Sequence, residues 1–176
     1  PEYLKLWEIN NDGKGFLFFY KSSNGIVFYP FLIKPLNDLK FLYDTQLKNY
    51  SDIITPYGYG GPLLKPNSNS NFNSLLREFR EAFSVFCEEN RIISEFIRFH
   101  PLLENHKFLE NYINVNLSNY IVYVDLQVSE EQIWKNYEYN NQKNIKKALR
   151  NEIEIIVDKD FKYLDDFIEI YYLTMD

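Results

Sequence analysis

At 176 residues the chain can bury a core of its own, about 70 % of the unfolded surface for a domain of this size, and one domain over residues 1–176 is expected. Its 45 % hydrophobic and 18 % aromatic content excludes disorder over most of its length, and 25 acidic against 19 basic side chains (formal charge −6) argue against a general nucleic-acid coat held by phosphate neutralisation. Lone Cys87 excludes an internal disulfide, and two histidines, His100 and His106, exclude a Cys/His zinc cluster, so no metal is called for and a reducing cytoplasm fits.

The first third reads as strands: YLKLWEI (Tyr3 to Ile9), GFLFFYK (Gly15 to Lys21) and GIVFYPFLI (Gly25 to Ile33). The glycine-bearing turns NNDGKG and SSNG separate them at hairpin lengths, which predicts an antiparallel meander, with Pro30 at an edge or a bulge. Leu36 to Tyr50 reads as irregular or as one short helix, and DIITPYG as a short strand running into a glycine loop. That loop, TPYGYGGPLLKP, holds three of the chain's six glycines and three of its seven prolines. Gly58, Gly60 and Gly61 suit either a tight turn whose tyrosines cover the core edge or a loop that lines a ligand.

After the polar linker KPNSNSNFN, Leu75, Leu76, Phe79, Ala82, Phe83 and Phe86 recur at helical spacing, with Cys87 next to this apolar face as an inert thiol. RIISEFIRF comes next as a strand that ends where His100 meets Pro101. YINVNL and YIVYVDL are strand candidates joined at Ser118-Asn119. Ser129 and Gln132 form a capping box opening a helix to about Asn151, EIEIIV is a further strand, and Phe161 to Tyr172 mark a last helix. Strands early and helices later, without internal repeat, predict a mixed-sheet α/β or α+β domain. No apolar run reaches the roughly 20 residues of a membrane helix, so the chain reads as soluble and cytoplasmic. It starts without Met and stops at Asp176 inside a helical pattern, so a fragment of a longer protein is expected.

Polar residues interrupt these patterns in two places. On the strand before His100, Glu95 shares a face with Ile93, Ile97 and Phe99, while Arg98 and His100 share the other. Either Arg98 pairs with a carboxylate and His100 bonds to backbone, or both face an anionic or carbonyl-bearing ligand at the strand end. On the helix after Ser129, Asn141 and Asn144 fall where the period of Ile133, Trp134, Tyr137, Ile145, Ala148 and Leu149 calls for apolar side chains, and inward amides need partners. Lys143, Lys146, Lys147 and Arg150 make a basic stripe that is a solvated face or an anion site. Motifs of serine hydrolases, phosphate-binding loops, zinc proteases and dinucleotide-binding folds are missing.

The order PYGYGGPL, EFIRFHPLLEN, a strand ending VDL, a Trp-bearing helix with NIKKALRN, then EI and a helix ending YYLTM resembles the N-terminal part of Fem-like proteins of the GNAT superfamily, across about Tyr50 to Asp176. The resemblance implies a GNAT-like mixed, largely antiparallel sheet flanked by helices. It implies two such domains in tandem, the present chain being most of the first and the C-terminal domain missing. It further implies transfer of an acyl or aminoacyl group, from acyl-CoA or aminoacyl-tRNA and without metal, onto an amine of a sugar or peptide precursor of the cell wall or surface polysaccharide. Tyr57, Gly58, Tyr59, Gly60, Gly61, Arg98, Asn144, Lys146 and Lys147 would then line the acceptor cleft, with His100 or Glu95 as base. Two departures stand out: Leu63, Leu64 and Lys65 occupy the place of an acidic residue after the loop's Gly-Pro, and the acetyl-CoA pyrophosphate loop of ordinary GNAT enzymes is missing. A catalytically inactive GNAT-like module that binds a glycan precursor or a partner protein is the alternative, and a nucleic-acid binder using the basic stripe and the aromatics is a third.

Overall fold

Two neighbouring parallel strand ends position the candidate site, and the sheet that carries them is built on one long hairpin. The computed structural model describes residues 2–10, 13–42, 44–68 and 71–175. The fold is mixed α/β, and the chain divides into two compact units, Pro1–Ile121 and Val122–Asp176.

In the first unit, β1 (Lys14–Ser22) and β2 (Gly25–Pro35) pair antiparallel from Lys14↔Ile33 to Ser22↔Gly25, turning through Ser23 and Asn24. Period-two alternation sends Val27, Tyr29 and Phe31 into the core with Phe16, Phe18 and Tyr20 packed beside them. On the other edge of β2, β3 (Ser51–Ile54) pairs antiparallel with Leu32 to Pro35, and β4 (Leu63–Pro66), which periodicity did not reveal, pairs antiparallel with Gly25 to Phe28. Pro30 sits between these two ladders, where a missing N–H interrupts no pairing on that side, rather than at an outer edge. β5 (Ile92–Phe96) completes the sheet parallel to β3, giving the order β1-β2-β3-β5 with β4 beside β2.

Helix α2 (Phe72–Glu89) covers one face of the sheet. Asn71 caps it by accepting from the Asn73 N–H at 3.0 Å, and Leu75, Leu76, Phe79 and Phe83 are buried against Tyr29 and Phe31. An ion pair crosses this layer: Arg80 donates to both Glu95 oxygens at 3.2 and 3.0 Å, and the Tyr29 hydroxyl donates to Glu95 Oε1 at 2.9 Å. Burial, and then the Glu95 charge, hold the Tyr29 hydroxyl well above its usual pKa, and burial pushes the Cys87 thiol up to about 11.

Several sequence expectations change. Tyr3 to Ile9 is not a strand but helix α1 (Glu2–Ile9). Its alternation spans only seven residues, whereas Tyr3 and Trp7 meet at i,i+4 with ring centroids 6.0 Å apart. The Asn11 and Asp12 positions of the first expected turn, Tyr43, and Asn69 and Ser70 of the linker lie outside the described residues. Leu36 to Tyr50 holds three short 3-10 turns, at Leu36–Asp38, Lys40–Leu42 and Gln46–Asn49. The regular part of the RIISEFIRF strand ends at Phe96, four residues before His100.

YINVNL and YIVYVDL form no ladder; they run without regular structure, with Leu117, Tyr120 and Val122 largely exposed. Alternation is a local property, whereas a strand also needs a partner edge, which no local pattern specifies. EIEIIV in the second unit behaves in the same way.

The second unit is helical. Ser129 caps α3 (Glu130–Asn136), accepting from the Gln132 N–H at 3.3 Å. The expected single helix to Asn151 breaks at Tyr137 and Glu138, both extended in ψ, before α4 (Tyr139–Arg150). The Gln142 amide reaches back across the break to the Trp134 and Tyr137 carbonyls at 2.9 and 3.1 Å, satisfying acceptors that a continuous helix would have used. Asn141 and Asn144 are exposed rather than inward. α5 (Leu164–Met175) closes the unit. Among the described residues no helix is long and apolar enough to cross a membrane.

Candidate functional site

Because β3 and β5 are parallel neighbours, the chain leaves both at the same end of the sheet. There β3 runs on into the glycine loop, and β5 into the segment Ile97 to His100. The segments stay bonded beyond the strands. The Thr55 N–H donates to the Phe96 carbonyl at 3.1 Å, the Arg98 N–H to Thr55 Oγ1 at 3.0 Å, and the Gly60 N–H to the Arg98 carbonyl at 2.7 Å, closing a parallel bridge between Gly60 and Phe99.

Asn105 locks this arrangement. Its side chain is 3 % exposed, accepts from the His100 N–H at 2.9 Å through Oδ1, and donates to the Gly60 carbonyl at 2.9 Å through Nδ2. One partner is a donor and the other an acceptor, so the amide orientation is fixed. Sequence reasoning missed Asn105: it stands in a 3-10 turn (Asn105–Phe108), and its partner in the loop is 45 residues away.

The loop's glycines are explained by this packing. A Cβ at Gly60 would lie 2.9 Å from Thr55 Cγ2. At Gly61, φ is +104° and a Cβ would lie 3.0 Å from Asn105 Nδ2. Gly58 also has positive φ, but a Cβ there would make only an ordinary contact, 3.5 Å from the Tyr3 hydroxyl. Gly60 therefore serves close packing against the Thr55 side chain and Gly61 close packing against Asn105, Ile97 and Phe99, while Gly58 serves the turn.

The outward side of this junction carries aromatic rings and cations. The Arg98 guanidinium lies 5.7 Å from the Tyr57 ring centre and 5.6 Å from that of Phe96, within cation–π distance of both. It is exposed, and among the described residues it makes no ion pair, so the expected structural pairing with a carboxylate does not form. The Tyr59 and His100 rings lie 5.3 Å apart. Helix α1 braces the loop from behind: the Tyr3 hydroxyl donates to the Tyr57 carbonyl, and Trp7 packs 5.9 Å from the Tyr57 ring. The buried Trp7 Nε1–H has no hydrogen-bond partner, the sole such side-chain atom among the described residues.

His100 Nδ1 accepts from the Leu103 N–H at 3.3 Å. In a neutral ring that contact puts the proton on Nε2, so His100 presents a donor, and its lone pair is engaged. Glu95, the other candidate base, faces the core layer, with its oxygens bonded to Arg80 and Tyr29.

The structure thus brings together Tyr57, Gly58, Tyr59, Gly60, Gly61, Arg98 and His100. Glu95 serves the opposite face of the sheet. Asn144, Lys146 and Lys147 belong to α4 of the second unit, where all three are exposed. There Lys146 Nζ lies 5.5 Å over the Trp134 ring, and Lys143, Lys146, Lys147 and Arg150 make no ion pair among the described residues. No group of three or more His, Cys, Asp or Glu side chains suited to a metal ion occurs among the described residues.

No family model, no curated protein and no solved structure matches the chain.

Proposed function

We propose that the junction of the glycine loop with the strand end at Arg98 to His100 holds the acceptor of an N-acyl- or aminoacyltransferase of Fem-like GNAT type, the acceptor being an amine-bearing sugar or peptide precursor. The observation that carries this reading is the exposed Arg98 guanidinium, within cation–π distance of the Tyr57 and Phe96 rings and without a carboxylate partner among the described residues. Such a cation is preset to take an anionic or carbonyl oxygen, while neighbouring rings offer flat apolar faces to a sugar. His100 adds an Nε2–H donor beside Tyr59. In amide-forming chemistry these groups would orient the acceptor and stabilise negative charge developing on the carbonyl oxygen, and the rate gain would come from positioning and electrostatics. The donor, acyl-CoA or aminoacyl-tRNA, belongs to the same proposal and rests on the resemblance of motif order.

The test is a mass-spectrometric screen of the full-length protein for acyl or aminoacyl adducts on amino sugars and amine-bearing peptides, with Arg98→Ala and His100→Ala alongside. An adduct that forms with the parent and falls at least about tenfold with Arg98→Ala supports the proposal. Transfer unaffected by both substitutions would remove it.

A binding module without catalysis is the second reading. It is favoured by the two candidate bases, since Glu95 is bonded to Arg80 and Tyr29 and the His100 lone pair is bonded to Leu103. Ligand binding that depends on Arg98, with no turnover for any donor, would select it.

A further inference from the structure

The edge strand β1 leaves its outer side open. Among the described residues it pairs only with β2, and at nine residues it is longer than β5, the five-residue strand at the opposite edge of the sheet. One contact gives the direction of its backbone groups: the Gly15 N–H donates at 2.8 Å to Glu8 Oε1, not across to β2. These groups alternate in direction along an antiparallel strand, so Leu17, Phe19 and Lys21 turn their N–H and C=O groups to the same open side as Gly15, while Phe16, Phe18 and Tyr20 direct theirs to β2. Side-chain burial agrees. Val27, Tyr29 and Phe31 of β2 are fully buried in the core, whereas Phe16, Phe18 and Tyr20, on the same face of β1, stay only partly buried. On the other face Leu17 is 53 % and Phe19 52 % exposed. A long apolar strand with unpaired backbone donors and acceptors is a template for one more strand.

Register decides which strand fits. We propose that β1 pairs antiparallel with β1 of a second copy of this chain, about a two-fold axis that passes through Phe19 normal to the sheet, joining the two sheets edge to edge. This register sets Phe19 opposite Phe19 and Leu17 opposite Lys21 of the second copy, so the three residues with outward backbone groups are the three that meet. A register centred on Phe18 would call on the Gly15 N–H, which Glu8 already holds. Centred on Phe19, Gly15 instead falls opposite Ser23 of the second copy, a residue of the turn, and the ladder ends there. No like charges stand opposite each other, and Phe18 faces Tyr20 on the inner side. Charge fits as well. Neither Glu8 nor Lys21 makes an ion pair among the described residues. Lys21 of the second copy arrives opposite Leu17, one step along the same face from the Gly15 that holds Glu8, and the two-fold axis makes that approach of cation to carboxylate twice. The surface is separate from the Arg98 junction and does not depend on the transferase reading.

Sedimentation of the 176-residue chain between about 10 μM and 1 mM should show a reversible equilibrium of monomer and dimer. Amide hydrogen exchange then locates the interface. As the dimer forms, exchange at Leu17, Phe19 and Lys21 should slow at least about tenfold, and at Phe18 and Tyr20, bonded to β2 in either state, it should change less. Phe19→Pro removes an outward N–H that β2 does not use, so the hairpin should persist, with circular dichroism as the check, and association should weaken at least about tenfold. Phe19→Ala keeps that N–H and should weaken association less than Phe19→Pro. Lys21→Glu brings a second carboxylate to Glu8 and should weaken the dimer about threefold. The proposal is overturned if the chain stays monomeric at about 1 mM, if a dimer forms without slowing exchange at these three amides, or if folded Phe19→Pro dimerises like the parent.

Discussion

The Asn105 side chain donates to the Gly60 carbonyl at 2.9 Å, and through this contact two segments far apart in sequence become one surface. Its oxygen takes the His100 N–H on the other side, so a single amide sets the spacing of the glycine loop from the strand end. Asn105→Ala leaves one buried donor and one buried acceptor without partners, and should cost about 1–3 kcal/mol in chemical denaturation. Asn105→Asp keeps the bond from His100 but sets a carboxylate against the Gly60 carbonyl, and should recover none of that loss. An Asp variant as stable as the parent would contradict the assigned amide orientation.

The three loop glycines should not be equivalent. Gly60→Ala meets Thr55 and Gly61→Ala combines positive φ with contact to Asn105, so each should cost about 1–3 kcal/mol. Gly58→Ala meets only the Tyr3 hydroxyl at an ordinary 3.5 Å contact, so its cost is that of φ, about 1 kcal/mol. Thr55→Ser removes the methyl that Gly60→Ala would strike while keeping the hydroxyl that accepts from Arg98, so the double variant should recover part of the loss. Equal melting shifts for all three alanine variants would rule this packing out.

The Arg80–Glu95 pair should behave as a buried unit, with side chains 17 % and 13 % exposed. Arg80→Met alone leaves Glu95 uncompensated beside Tyr29 and should cost about 3–5 kcal/mol, whereas Arg80→Met with Glu95→Leu should lie within about 1–2 kcal/mol of the parent. Denaturant midpoints of the four proteins in the cycle measure this. Additive losses would mean that the two groups do not interact.

Alkaline pH should destabilise the first unit. Cys87 is raised to about 11 from a usual 9.0 and Tyr29 well above its usual 10.0, so the native state holds both protons more tightly than the unfolded chain. The thiol's contribution is complete below about pH 9 and disappears as pH approaches 11. That of Tyr29 starts to fall above about pH 10. Tyr29→Phe should be less stable than the parent at about pH 8, having lost its bond to Glu95, yet lose less stability between about pH 9 and 11. Parallel stability–pH curves for parent, Tyr29→Phe and Cys87→Ala would contradict this.

The parts legible in the sequence are those fixed by local chemistry. The two-residue Ser23-Asn24 turn and the alternation of Phe16, Phe18 and Tyr20 announce the β1–β2 hairpin, and Leu75, Leu76, Phe79 and Phe83 announce α2. Alternation misled where no partner edge was at hand, at Tyr112 to Leu126 and at Ile153 to Val157, and where seven residues were too few to separate strand from helix, in α1. In the candidate site, glycine density in the loop and the Arg98-His100 pair at a strand end could be read directly. The meeting of loop and strand end depends on β3 and β5 being parallel neighbours and on Asn105, both non-local, so neither could be read.

The most direct measurement is an amide NMR titration of the chain with an amino sugar joined to a nucleoside diphosphate, because the central claim is that loop and strand end form one ligand-holding surface. Gly58, Gly60, Gly61, His100 and Leu103 should shift together with a single dissociation constant, and Arg98→Ala should weaken binding at least about tenfold. No shift, or shifts confined to residues away from this junction and indifferent to Arg98→Ala, would contradict the claim.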